Sequence, residues 1–261
     1  MSVDLARDPR GASGPQGSPV VQLHGLTSSR RRAETSGLDL TAGLDDLRVL
    51  RYDARGHGLS PGTVDPADYT WSALAGDLAG LLDREFPGRA VHGVGASMGA
   101  ATLLHAAVRE PGRFVSLTLA IPPTVWQWRR EQSEVYELAA RQVERWGGQR
   151  WARLTHRPPT SPAVDPGRPF AGPDVADQWL PAVFRGAART DLPPREEIGR
   201  LRMPVLLLAW PEDASHPLAV AQHLRGLLPD ARLAVARSPA DVAAWPGIVG
   251  RFVRGRGGAQ Q

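Results

Sequence analysis

The chain has 261 residues, 31 of them basic and 27 acidic, and it contains no cysteine. Every basic residue is arginine, since lysine does not occur. Without cysteine there is no thiol nucleophile, disulfide or thiolate metal site; without lysine there is no Schiff-base chemistry and no lysine-dependent phosphate loop. A net charge of +4 is too small to give a strongly positive field, and the arginines are scattered among acids along the whole chain. That pattern argues against a nucleic-acid partner.

Residues 1–19 mix Asp4, Arg7, Asp8 and Arg10 with glycine and proline. They offer no apolar signal core, and no later apolar run is long enough to span a bilayer. A soluble, cytoplasmic protein without a membrane partner is expected. The first apolar run is Val20-Val21-Gln22-Leu23, followed by runs at 47–52, 90–94, 114–121, 205–209 and a weaker one at 231–236. Each is short and bounded by glycine, proline or charge, and most are continuous rather than alternating, as in parallel strands buried on both faces. Helical spacing appears between them. Trp71, Leu74, Leu78, Leu81 and Leu82 share one face; residues 98–108 are rich in alanine and leucine; residues 217–228 open with a proline at a plausible first helical position. The alternation predicts a mostly parallel, doubly wound α/β sheet.

Residues 122–201 interrupt that alternation. They contain no convincing strand, a helical pattern around 131–146, a proline-rich passage at 158–173, and five of the eight tryptophans. This stretch reads as a helical cap inserted into a core made of residues 1–121 and 202–261, over the strand ends where open α/β sheets bind ligands. At least two of the five tryptophans, with Trp126 and Trp128 as the candidates, are expected to line a ligand pocket.

Gly95-Ala96-Ser97-Met98-Gly99 matches the pattern G-x-S-x-G. In a chain so rich in glycine the match alone says little, but here a strand pattern runs into it and a helix pattern leaves it. A serine on such a turn is strained and exposed, and its small neighbours let strand and helix backbones approach. The Met98 amide would lie at a helix N-terminus, where a developing oxyanion is favoured. Two other readings are a helix-capping serine and a dinucleotide loop built on Gly93, Gly95 and Gly99. The second fails because the third glycine comes one residue late and no acid stands about 20 residues on.

These motifs in this order resemble the α/β-hydrolase superfamily, and within it the capped esterase and lactonase branch that includes 3-oxoadipate enol-lactonase-like proteins. The resemblance rests on His24-Gly25-Leu26, on residues 53–60 (DARGHGLS), on the turn around Ser97, and on Glu212-Asp213, and it spans about residues 20–254. It implies an α/β-hydrolase fold with a helical cap and hydrolysis of a carboxylic ester or lactone through an acyl-enzyme on Ser97. It further implies an oxyanion hole from the Leu26 and Met98 amides, a bracing role for His24, and a triad acid at Asp213, with adjacent Glu212 as the alternative. No metal or cofactor is expected, because the sequence shows no His/Asp/Glu cluster with ligand spacing such as H-E-x-x-H.

The resemblance fails at the base. Such enzymes carry their histidine after the last strand, where this chain reads Ala236-Arg237-Ser238-Pro239-Ala240-Asp241, and no histidine follows His223. His216 stands three residues after Asp213 and is the strongest replacement, with His24 and His156 behind it. The competing function is a hydrolysis-deficient protein that keeps the pocket for ligand binding or another reaction. Arg30, in the Arg30-Arg31-Arg32 run, is a candidate clamp for a substrate carboxylate, as are Arg129 and Arg130. The expected partner is thus a small ester or lactone that carries a carboxylate.

Overall fold

A strand covered on both faces must be apolar at every position, because successive side chains point to opposite layers. The six runs follow this in the main, with Gln22, Arg51 and His92 among the buried polar exceptions, and the structure, a computed structural model that describes residues 4–10, 19–167 and 171–255, places them in one sheet. Residues 168–170 of the proline-rich passage, and residues 1–3, 11–18 and 256–261 of the expected core, lie outside the described residues.

In chain order the elements are β1 (Arg7–Arg10), β2 (Val20–Leu23), α1 (Arg30–Thr35), β3 (Val49–Tyr52), α2 (Trp71–Glu85), β4 (Val91–Ala96), α3 (Met98–Arg109) and β5 (Phe114–Ala120). Then come α4 (Arg129–Trp146), α5 (Gly148–Thr155), α6 (Leu180–Ala188), α7 (Arg195–Ile198), β6 (Val205–Ala209), α8 (Leu218–Leu227), β7 (Ala231–Val235), α9 (Pro239–Ala243) and α10 (Trp245–Arg254). The sheet order is β1-β3-β2-β4-β5-β6-β7. All neighbouring pairs are parallel except β1 with β3. This is the α/β-hydrolase fold.

Alternation along β6 shows how the layers divide. Val205 and Leu207 join α2, α3 and α8 in one core, while Leu206 and Leu208 join Trp245, Val249 and Phe252 of α10 in the other. Because β2 and β4–β7 run the same way, the connections that leave them gather at one edge of the sheet.

The seventh strand, β1, has no apolar signature. Asp8 pairs in register with Arg51 of β3, and the buried Arg51 guanidinium reaches Asp8 at 3.2 Å, Glu34 at 2.6 Å and Asp39 at 3.0 Å. Charge thus reinforces the pairing of this edge strand, which hydropathy could not reveal.

Between β5 and β6 the chain leaves the sheet and returns through α4–α7. Its own small core packs Ala139, Ala140 and Val143 of α4 against Leu180, Val183 and Phe184 of α6. Arg129, at the start of α4 and only 5% exposed, ties this excursion to the sheet layer. Its guanidinium lies over the Trp71 ring at 4.5 Å. It donates to the Thr190 carbonyl at 2.9 Å, to Thr124 at 3.3 Å and to the Ala187 carbonyl. Both arginines at the start of α4 that the sequence offered as clamps are therefore occupied otherwise: Arg129 is structural, and Arg130 is 89% exposed beside Glu134. Replacing Arg129 by Met strands these buried carbonyls without donors and should lower the free energy of unfolding by about 1–3 kcal/mol in urea denaturation.

Candidate active site

Strand β4 stops at Ala96, helix α3 starts at Met98, and the whole turn falls on Ser97, with φ 52° and ψ −112°. A non-glycine residue at positive φ is strained, and it persists only where its surroundings impose it. The surroundings here are backbones in contact. A Cβ at Gly95 would lie 2.5 Å from the Gly99 carbonyl carbon, and one at Gly99 would lie 2.6 Å from the Leu23 carbonyl oxygen. Only glycine fits either position. Ser97 also occupies the helix-capping position, but its hydroxyl makes no capping bond to α3. That removes the capping reading of the serine.

The hydroxyl is engaged elsewhere. Ser97 Oγ lies 2.8 Å from His216 Nε2, and His216 Nδ1 lies 2.8 Å from Asp213 Oδ2. Nδ1–H donates to the carboxylate, which leaves Nε2 as the acceptor for the serine proton. Asp213 is itself fully engaged: Oδ1 accepts the Ser215 amide at 2.9 Å and the His216 amide at 3.2 Å, while Oδ2 also accepts Trp210 Nε1–H at 2.9 Å. Trp210 is buried and stacks on Trp245 with ring centroids 5.5 Å apart. Burial alone would push the Asp213 pKa up, but the bonds from His216, Trp210 and the Ser215 amide hold it well below the usual carboxylate range. Glu212, the alternative acid, is exposed, has φ 59°, and offers its carbonyl to the Thr160 hydroxyl.

On the other side of Ser97, a Cβ at Gly25 would sit 3.5 Å from the Ser97 Cβ, so the turn after β2 lies against the serine. Leu26 follows and lines the same cavity. Among the described residues, neither the Leu26 nor the Met98 amide has a hydrogen-bond acceptor. Two free N–H groups flanking a serine can receive a negative oxygen.

The remaining histidines serve other ends. His24 Nε2 accepts the Ala54 amide at 2.9 Å, so its Nδ1–H donates to the Gly25 carbonyl at 2.8 Å. Both nitrogens are taken, and burial pushes its pKa down to about 4, so it braces the loop as a neutral ring. His57, pushed by burial down to about 3, bonds the Arg55 carbonyl. His92 meets Ser116, and His105 meets the Asp191 carbonyl. His156 lines the cavity from an exposed position. After β7, where a histidine would be expected, Ser238 and Asp241 form a reciprocal cap on α9.

The cavity above Ser97 has a volume of about 530 Å³, and Leu26, Ile121, Tyr136 and Phe184 are among the side chains that line it. None of the five tryptophans between 122 and 201 lines it. Trp126 and Trp128 turn toward α8 and meet the His223 ring edge-on at 5.3 and 6.0 Å. The Trp126 amide is fixed by the Asp191 carboxylate and its ring is covered by Arg195, so neither tryptophan can face the cavity. Arg30 is also elsewhere: its backbone amide bonds Asp53 at 2.8 Å and its side chain lies 3.7 Å from the same carboxylate, at a second, polar cavity. Arg32 faces the site instead, because two positions on a helix are about 200° apart. Trp210, Tyr136 and Phe184 gave no signal in the sequence beyond being apolar. Among the described residues, no group of three or more His, Asp or Glu side chains is placed to hold a metal, and no helix is long and apolar enough to cross a membrane.

Comparison with known proteins agrees with the fold. The chain belongs to the alpha/beta hydrolase family, whose sequence model matches residues 20–248. No curated relative matches it by sequence. Among solved structures it is similar to the enol-lactonase from Burkholderia xenovorans LB400, with TM-score 0.78 and 21% identity over 97% of this chain and 97% of that one. A thermophilic esterase from Thermogutta terrifontis matches with TM-score 0.74 and 21% identity over 98% of this chain and 94% of that one. The esterase RhEst1 from Rhodococcus sp. ECU1013 matches with TM-score 0.72 and 21% identity over 98% of this chain and 100% of that one.

The Asp213 pKa gives a stability prediction. A carboxylate whose folded pKa lies below its unfolded value of about 3.9 contributes stability above that pH and loses it as pH falls through the folded pKa. Wild type should therefore exceed Asp213→Asn in stability most near neutral pH, and the gap in denaturation midpoints should shrink below about pH 4.

Proposed function

We propose that the protein is a serine hydrolase of a small carboxylic ester or lactone, with Ser97 as nucleophile, His216 as general base and Asp213 as its orienting acid. The observation that carries this reading is the unbroken chain from Ser97 Oγ to His216 Nε2 and from His216 Nδ1 to Asp213 Oδ2, each contact 2.8 Å. The likeness to an enol-lactonase and two esterases supports an ester or lactone as substrate.

In this mechanism Ser97 Oγ attacks the carbonyl carbon while its proton passes to His216 Nε2. The Leu26 and Met98 amides receive the carbonyl oxygen as it becomes negative, and the Asp213 carboxylate stabilises the imidazolium. His216 then protonates the departing alkoxide. A water, deprotonated by the same nitrogen, attacks the acyl carbon; the bond to Ser97 Oγ breaks as His216 returns the proton to that oxygen, and the acid leaves. Residues 122–201 act as the cap: α4 and α6 contribute Tyr136 and Phe184 to the cavity and shield the acyl-enzyme from bulk water.

Ser97→Ala and His216→Ala should each lower kcat for 4-nitrophenyl esters by at least about 10³-fold. A fluorophosphonate should label the wild-type protein and not Ser97→Ala. If the wild-type protein remains unlabelled at high probe concentration, the pocket serves binding or another reaction. Trp210→Phe keeps a ring against Trp245 but removes one hydrogen bond to Asp213, and it should reduce kcat about 10-fold with KM unchanged.

A further inference from the structure

Ser97 and His216 lie 119 residues apart in the chain, so their 2.8 Å contact depends on how two separate loops are held against each other. The segment that leaves β5 joins them. The Ala120 carbonyl accepts the Ser97 amide at 2.9 Å, and the Ile121 amide donates to the Leu208 carbonyl at 2.6 Å, near the end of β6. Three residues on, the Thr124 amide donates to the Ser215 carbonyl at 3.1 Å. Ser215 in turn gives its own amide to Asp213 Oδ1 at 2.9 Å. Residues 120–124 therefore form a strap with the serine turn at one end and the loop of Asp213 and His216 at the other. Its middle is Pro122-Pro123, whose rings lock φ at about −65° and make the strap stiff.

Arg129 holds the far end of this strap. Its Nη1 donates to the Thr124 carbonyl and to Thr124 Oγ1, each at 3.3 Å. Its other donors reach the Thr190 carbonyl at 2.9 Å and the Ala187 carbonyl, at the end of α6. The guanidinium also lies 5.4 Å from the ring centroid of Tyr136, which lines the cavity. Among the described residues its hydrogen-bond acceptors are carbonyls and the Thr124 hydroxyl, with no carboxylate. A cation buried this deeply without a carboxylate is unfavourable, and a well-packed apolar side chain would avoid that penalty. What an apolar side chain cannot supply is a planar fork that fixes several carbonyls at once.

We infer that Arg129 is a positioning residue for the reaction: it fixes the strap at Thr124, and the strap keeps Asp213 and His216 in register with Ser97. Arg129 does not line the cavity and acts only through Thr124 and Ser215. The inference rests on the hydrolase reading for its effect on rate, though not for the geometry of the loop.

The test assays Arg129→Met on 4-nitrophenyl acetate and 4-nitrophenyl butyrate, well below its denaturation midpoint, with intact sites counted by exhaustive fluorophosphonate labelling. The control is Arg113→Met. Arg113 stands at the opposite end of β5 and also donates to two carbonyls, that of Arg89 at 2.7 Å and that of Phe86 at 3.0 Å. Arg129→Met should lower kcat per labelled site about 10- to 100-fold, slow the labelling reaction to a similar degree and leave KM within about twofold. Arg113→Met should lose stability but keep kcat and KM within about twofold. If Arg129→Met does not fold, Arg129→Lys, which keeps the charge on a single donor centre, should lower kcat about 3- to 10-fold with KM unchanged. A readout that needs no turnover is the downfield proton resonance of His216 Nδ1–H, assigned by its loss in His216→Ala. It should be present in wild type and Arg113→Met and lost to solvent exchange in Arg129→Met.

If esters are turned over and the two arginine variants lose kcat alike, or Arg129→Met only raises KM, or it keeps both kcat and the resonance, the positioning role is wrong and the hydrolase reading stands. If nothing is turned over or labelled, yet the resonance is present in wild type and disappears in Arg129→Met alone of the two, the positioning role stands and the hydrolase reading falls. Absence of turnover, labelling and resonance in wild type overturns both.

Discussion

The site is organised around the backbone of one residue. Ser97 turns the chain from β4 into α3 at φ 52°, and it can do so only because strand, helix and the turn after β2 touch without side chains between them. Gly95 meets Gly99, Gly99 meets the Leu23 and His24 carbonyls, and Gly25 rests against Ser97. This close packing turns the serine hydroxyl toward the cavity that Leu26 also lines, with Met98 next in the chain at the start of α3. His24 completes the arrangement as a neutral brace between the Gly25 carbonyl and the Ala54 amide.

A second local constraint brings Asp213 and His216 together. The Asp213 carboxylate folds back onto the amides of Ser215 and His216, so the turn that sets the loop's shape also aims the His216 ring at the same carboxylate. Family resemblance implies a histidine arriving from the loop after β7. Here that loop starts a short helix, and both partners of Ser97 come from the connection between β6 and α8. The arrangement leans on Trp210, held against Trp245 of α10, so the last helix supports the site through ring stacking without supplying any residue to it.

Much of this was legible in the sequence because it is local. Unbroken apolar runs mark strands covered on both faces, and the runs at 20–23 and 205–209 match β2 and β6 residue for residue. The glycines around Ser97 report a close approach of backbones, and the three-residue spacing of Asp213 and His216 is short enough for one turn to join them. Strand β1 was not legible, since an edge strand whose pairing is reinforced by Arg51 with Asp8 shows no hydropathy pattern. The cavity walls were not legible either. Tryptophans between 122 and 201 are large apolar residues suited equally to a pocket or a small core, and here Trp126 and Trp128 pack on His223 while Trp151 packs on Phe184.

By itself, then, the sequence determined the layered α/β core, the serine turn and the short spacing that lets one turn join Asp213 to His216, because each depends on a few neighbouring residues or on a short period. Only the tertiary structure decided which arginine of the 30–32 run faces the cavity and which aromatics wall it. It also decided that the hydrogen bonds of Asp213, rather than of Glu212, are the ones that close. Those choices depend on which face of a helix meets which distant segment. The contacts of Ser29 with Asp174 and of Arg32 with Gly172 are made across 145 and 140 residues of chain, and no local pattern encodes them.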